Sequence, residues 1–213
     1  MEAVLQIVGN AIYGALALVA LWGLFCVLVV WRRVSAVGFR SEDAQDTFLD
    51  EVDQYLAAGD FESAGALCHN NPKAVSQLAG LAIDHSQLGY GKLRAVAADR
   101  FQRDYLADLE YRLSWVTTVI KAAPMLGLLG TVIGMMGAFS KLAGSRNVSP
   151  DALASDISVA LITTALGLAI AIPLVLCMAS INVRIRKLED LVGAGLTRFF
   201  ESFKQALKLK GVA

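Results

Sequence analysis

Ala123-Pro124-Met125-Leu126-Gly127-Leu128-Leu129-Gly130-Thr131-Val132-Ile133-Gly134-Met135-Met136-Gly137-Ala138-Phe139 decides how this chain is read. It lies within 19 consecutive uncharged residues, 122 to 140, bounded by Lys121 and Lys141. At the α-helical rise such a run is about 28 Å long, close to the hydrocarbon thickness of a bilayer. Gly127, Gly130, Gly134 and Gly137 are spaced three, four and three, which gathers them on one helix face. Missing side chains let another helix approach, so all four are assigned to helix packing. Thr131 shares the strip and is the only hydroxyl in the middle of the run, while Leu126, Leu129, Ile133 and Met136 cover other faces.

The rest of the composition agrees with a membrane chain. Hydrophobic residues make up 56% of the 213 positions and the mean hydropathy is +0.55, against ~45–50% apolar residues in soluble domains. Net charge is zero and by itself argues for neither an acidic nor a basic partner; no nucleic-acid partner is expected. Cys26, Cys68 and Cys177 are odd in number and unpaired in spacing, so no disulfide framework is implied. Cys68-His69 with a distant His85 has no metal-ligand spacing. Phosphate loop, nucleophile elbow and dinucleotide fingerprint are all missing. The expectation is a protein that is not an enzyme and holds neither metal nor cofactor.

Working outward, residues 3–31 form a first apolar run. It opens with Glu2, has no basic residue before Arg32 and is too long for a signal peptide, so it is expected to stay as a membrane helix with Tyr13, Trp22 and Trp31 at its interfaces. Residues 32–114 change character and predict a helical soluble domain. Phe48, Val52, Tyr55 and Leu56 share a face, Gly59 stops that helix and Asp60 caps the next, which carries Phe61, Ala64, Leu67 and Cys68. A third helix over 73–87 turns Val75, Leu78, Ala79 and Ala82 inward. A fourth begins near Lys92, with Leu93, Val96, Arg100, Arg103 and Leu106, and runs on toward the glycine-rich span, where Pro124 is expected to kink it. The charges of this domain read as solvated faces.

The glycine-rich span is placed at 115–143, a polar turn at 144–155 and a third span at 156–183, whose residues 157–183 carry no charge. Ala160, Thr164, Gly167 and Ala171 recur at four, three and four, a second small-residue strip with one hydroxyl in it. The strips on spans two and three are expected to pack subunits together, and Gly167 and Pro173 join the packing set; Pro173 also frees the Ala169 carbonyl. Residues 184–213 read as a soluble helical continuation. Nine of the 19 basic residues lie from Arg32 to Arg112 and seven from Arg184 onward, but only Lys141 and Arg146 lie between spans two and three. By the positive-inside rule the two rich segments are cytoplasmic, the amino terminus periplasmic and the carboxyl terminus cytoplasmic. The fold class is an all-α membrane protein with three transmembrane helices and a helical cytoplasmic domain.

The stretch from Ala123 to Met136, followed by Ala160-Leu161-Ile162-Thr163-Thr164-Ala165-Leu166-Gly167-Leu168-Ala169-Ile170-Ala171-Ile172-Pro173, resembles the MotA/TolQ/ExbB proton-channel family, in its three-span ExbB/TolQ-like branch. Leu56-Ala-Ala-Gly-Asp60-Phe-Glu-Ser-Ala64 is similar to that branch's cytoplasmic helices. The resemblance implies a homopentamer in a bacterial inner membrane, with spans two and three around a central pore. An ExbD/TolR-like single-span partner would sit in the pore and carry the proton on an aspartate, with a TonB/TolA-like protein and membrane lipid as further partners. The work powered would be an outer-membrane process such as TonB-dependent uptake. It also implies that Thr131 and Thr164 line the pore and the proton pathway. Val159 stands where many members have glutamate; Asp156, on a similar face, is the candidate replacement, and Asp156 and Lys121 are the expected partner contacts.

The residues themselves leave alternatives open. No Asp, Glu or His lies inside the spans, so a proton carrier must come from elsewhere. A non-conducting membrane scaffold, or a stator for a motility or secretion machine, fits the same pattern. A stand-alone solute transporter fits less well, for want of charged interior residues.

Overall fold

The computed structural model describes residues 2–144 and 150–209. All regular structure there is helical: α1 (Glu2–Val37), α2 (Glu42–Ala57), α3 (Phe61–His69), α4 (Ala74–Asp84), a 3₁₀ turn (Ser86–Leu88), α5 (Tyr90–Arg100), a π-helical turn (Phe101–Leu106), α6 (Ala107–Gly144) and α7 (Pro150–Leu209). Among the described residues three helices are long and apolar enough to cross a membrane. The chain divides into two compact units, one of Met1–Val29 with Arg112–Ser180, the other of Val30–Tyr111 with Ile181–Ala213.

The first unit gathers the three apolar runs. Its buried side chains are mostly small or β-branched, such as Val27, Val116, Val119, Ala123, Ala138 and Ala160. Many of its large ones point outward: Leu18 is 69% exposed, Met125 68% and Leu176 65%. Water would penalise such a surface heavily, whereas lipid or neighbouring helices suit it. Gly23 lets α1 in close, for a Cβ there would lie 2.8 Å from both Leu174 Cδ1 and Val119 Cγ1. Trp22 meets the edge of Trp115 at 6.4 Å. α6 runs unbroken through Pro124 and α7 through Pro173. α7 already starts at Pro150, where a proline's missing N–H costs nothing. Helix therefore replaces the expected turn over 150–155; the expected turn's 145–149 lie outside the described residues.

The second unit is a helical domain whose local signals work much as read. Ser41 caps α2 by accepting from Ala44 N at 3.3 Å, and Asp60 caps α3 through Ser63 N at 3.0 Å. Gly59 takes φ 78, the left-handed turn that ends α2. Phe48, Val52 and Leu56 are buried, but Tyr55, expected on the same face, is 42% exposed, because the buried arc also takes in Gln45 and Leu49 and Tyr55 falls just past its other edge. The core is built by the carboxyl-terminal half of α7, with Phe199, Phe200 and Phe203 almost wholly buried. Phe203 meets Phe61 of α3 at 6.1 Å, and Phe200 meets Tyr90 of α5 at 6.0 Å. Residues read as a soluble continuation of the third span thus supply the spine of the domain they form with 30–111.

Candidate functional site

The site lies in the first unit, where α6 meets α7. A Cβ built at Gly127 would lie 2.7 Å from the Thr163 carbonyl oxygen and 3.0 Å from Thr164 Cα; one at Gly167 would lie 2.6 Å from the Ala123 carbonyl oxygen. These are backbone atoms and cannot rotate away. At Gly130 the same carbon would strike Thr163 Oγ1 at 2.5 Å, and at Gly134 the Ala160 Cβ at 2.6 Å. Gly137, on the same strip by sequence, has nothing within 4 Å. The close packing expected between subunits is therefore made within one chain, four of the five singled-out glycines taking part. Pro173 is exposed on α7.

So close an approach brings three hydroxyls together. Thr163 is buried and donates to the Ala160 carbonyl at 2.7 Å or the Gly127 carbonyl at 3.1 Å. Thr131, half-buried, lies 3.2 Å from both the Gly127 and the Ala160 carbonyls. Thr164, half-buried, lies 3.1 Å from the Gly127 carbonyl. Thr131 and Thr164 are hydrogen-bonded to each other, and either can be the donor. Each hydroxyl has one proton, so two arrangements are available. Either Thr131 donates to Thr164 and Thr164 to Gly127, or Thr164 donates to Thr131 and Thr131 to a carbonyl. Both satisfy every donor, so the pair can reverse its direction without leaving a buried group unpaired.

Thr163 was not singled out by the sequence pattern, although Ala160, Thr163 and Gly167 are spaced three and four. That spacing is as regular as the strip through Thr164, and the small-residue surface is two columns wide rather than one. Asp156 accepts from Lys141 Nζ at 2.7 Å, tying the start of the third run to the end of the second; Lys121 is exposed. A cavity of about 390 Å³ borders the seam, with Tyr13, Gly134, Lys141, Asp156 and Thr163 among its walls. Tyr13 Oη reaches the Val159 carbonyl at 3.4 Å. Among the described residues no cluster of His, Cys, Asp and Glu could hold a metal ion.

Residues 92–193, which contain this whole seam, match the model of the MotA/TolQ/ExbB proton channel family. Over that segment, just under half of its length, the chain is similar to the MotA/TolQ/ExbB proton channel family. It is 36% identical to the Tol-Pal system protein TolQ of Haemophilus influenzae, over 44% of this chain and 41% of that protein. It is 41% identical to a putative biopolymer transport protein, an ExbB homolog, of Methanothermobacter thermautotrophicus, over 46% and 36%. With the Tol-Pal system protein TolQ of Pseudomonas aeruginosa the match extends over 63% of this chain and 54% of that protein, at 34% identity. The chain thus spans between about a third and just over a half of these relatives' lengths. The matched family is one of proton channels, and these relatives are named as Tol-Pal system and biopolymer transport proteins rather than as enzymes.

Proposed function

We propose that this chain is the ExbB/TolQ-like subunit of an inner-membrane motor driven by the proton-motive force. In this reading five copies surround a pore that houses an ExbD/TolR-like single-span partner, and the motor powers an outer-membrane process, TonB-dependent uptake being the model case. The amino terminus is periplasmic and the carboxyl terminus cytoplasmic. The observation that carries the proposal is the reversible Thr131–Thr164 hydroxyl pair, set within a channel-family segment whose charge-free runs hold no Asp, Glu or His. Hydroxyls do not titrate near neutral pH, so a partner must bring the acid. Both hydroxyl protons already have acceptors in the chain, and what the pair offers a newcomer is lone pairs. Lone pairs accept from a protonated carboxyl or a water and repel a carboxylate. The pair therefore favours the protonated form of a partner's aspartate.

A scaffold role draws on the same bonds, since Thr131 satisfies itself through the carbonyl four residues back. The two separate on substitution. Thr131→Val, Thr164→Val and the double variant keep shape and lose the hydroxyls. Losing about 1.5 kcal/mol of hydrogen bonding to the protonated acid would lower its pKa by about one unit. Proton-gradient-dependent activity is measured with the partner co-expressed, alongside oligomer mass by native mass spectrometry. A normal pentamer with lost activity supports the motor role of the hydroxyl pair; full activity in the double variant leaves Thr131 and Thr164 a packing role only, and a stable monomer in mild detergent counts against the pentamer.

A further inference from the structure

In the second unit a half-open crevice of about 690 Å³ lies between the end of α1, the residues just after it, the start of α4 and the part of α7 that begins at Arg184. That volume is in the range of small-ligand sites. Four of its wall residues are cations, Arg40, Lys73, Arg184 and Lys187, and none is acidic. Two of the charges are partly engaged. Lys73 Nζ donates to the carbonyls of Ala36 at 3.1 Å and Ser35 at 3.4 Å, at the negative end of α1. The Arg184 guanidinium stacks 3.9 Å from the centre of the Trp31 ring. Arg40 and Lys187 are exposed and have no hydrogen-bond or ion-pair partner among the described residues. Holding four like charges around one space is unfavourable unless an anion enters it.

The geometry points to a site for a phosphoryl anion. Guanidinium and ammonium groups from α7 (Arg184, Lys187) and from the segments just after α1 (Arg40) and just before α4 (Lys73) suit a group with several charged oxygens, which one carboxylate would only half satisfy. The crevice also has apolar walls, Val34, Phe39 and Leu188. Its position in the chain says where such an anion would come from. The first apolar run ends at Trp31 and the charge-free run of α7 ends at Val183, so Val34 and Arg184 lie within one helical turn of where those runs stop. That is the level of lipid headgroups, where basic pockets bind anionic ones. The site does not depend on the function proposed above.

The test uses the full chain, delipidated in detergent and titrated with palmitoyl-oleoyl-phosphatidylglycerol, the matching phosphatidylcholine or inorganic phosphate, with adducts followed by native mass spectrometry. Arg40→Gln with Lys187→Gln removes the two unpartnered charges; Lys92→Gln with Arg94→Gln removes two exposed charges from α5 as the control. At about 1 kcal/mol for each basic residue near an anionic surface, phosphatidylglycerol should bind the crevice variant about 30-fold more weakly and the control unchanged. Arg40→Lys with Lys187→Arg should restore binding, which separates charge from fold. Binding of inorganic phosphate that the crevice variant loses, with no preference between the lipids, keeps the site and makes its ligand soluble. Equal binding of phosphatidylcholine with no phosphate adduct, or equal loss in the control, overturns the proposal.

Discussion

Gly127→Ala adds one methyl group and should act as a wedge. In the seam that carbon would sit 2.7 Å from the Thr163 carbonyl oxygen, where an ordinary contact begins at 3.4 Å, so α6 and α7 must part by about 0.7 Å. A gap of that size forfeits roughly a quarter to a half of each dispersion contact along the seam, and overpacking of this kind costs about 1–3 kcal/mol. It also stretches the bonds that cross the seam, from the Thr163 and Thr164 hydroxyls to the Gly127 carbonyl and from the Thr131 hydroxyl to the Ala160 carbonyl and Thr164. Alanine returns up to about 1 kcal/mol through its better helix propensity, leaving a net loss of up to about 2 kcal/mol. For a chain of this size that lowers the melting temperature by several degrees. Gly137→Ala is the internal comparison, because with nothing within 4 Å it collects the propensity gain alone and should be neutral or stabilising. Thermal melts of the purified protein, read by fluorescence-detected size exclusion, measure both. Equal melting temperatures for the two variants would refute a seam closed within the chain.

Three further outcomes are expected. Burial, then the nearby charge of Asp84, pushes the Cys68 thiol up to about 12. At pH 8 only about one in ten thousand molecules would carry the thiolate, so Cys68 should resist dinitrobenzoate until the domain unfolds. Because the folded state holds that proton more tightly, its contribution to stability declines as pH rises above the ordinary thiol value of about 8.5. Asp60 behaves oppositely: its cap bonds to Ser63 hold the carboxyl below the usual range. Stability from this group is present above the unfolded carboxylate pKa and fades as pH falls through the lowered folded value; Asp60→Asn should flatten that acid limb of a pH-dependent melt. In a cysteine-free background, Ser145→Cys should label from the periplasm and Ser63→Cys only after the inner membrane is opened. The reverse pattern would invert the proposed topology.

The glycine periodicity of α6 was legible because small-residue spacing reports a close approach directly. It does not say whose helix approaches, and so contacts expected between subunits turned out to be made inside one chain. The caps at Ser41 and Asp60 and the stop at Gly59 are local chemistry, which a sequence carries in full. Arg198 was not legible. It bonds Asp46 at 2.9 Å, Asp50, and Asp53 at 3.4 Å, three acids on one face of α2 that read as solvated, and its partners lie about 145 to 152 positions away in the chain. Pattern reading places residues on faces; long-range pairing decides what those faces meet. Phe199, Phe200 and Phe203 fall in a stretch legible as a soluble helical continuation, yet nothing local marked it as the centre of a domain.

The π-helical turn at Phe101–Leu106 bears on the same limit. Leu93 and Ala97 are buried before it and Leu109 after it, all within the second unit. Sixteen steps at about 100° each would put Leu93 and Leu109 about 160° apart, on nearly opposite sides of a plain helix. A π-turn absorbs one extra residue and so turns the phase back by about 100°, which leaves the two leucines within about 60°. It therefore works as a phase corrector, re-aiming a helix at its own core halfway along. Every helical wheel drawn straight through Arg100 and Arg103 misplaces the residues beyond them. One residue deleted from 101–106 would remove the correction, making this short stretch far less tolerant of deletion than its exposed, charged side chains suggest.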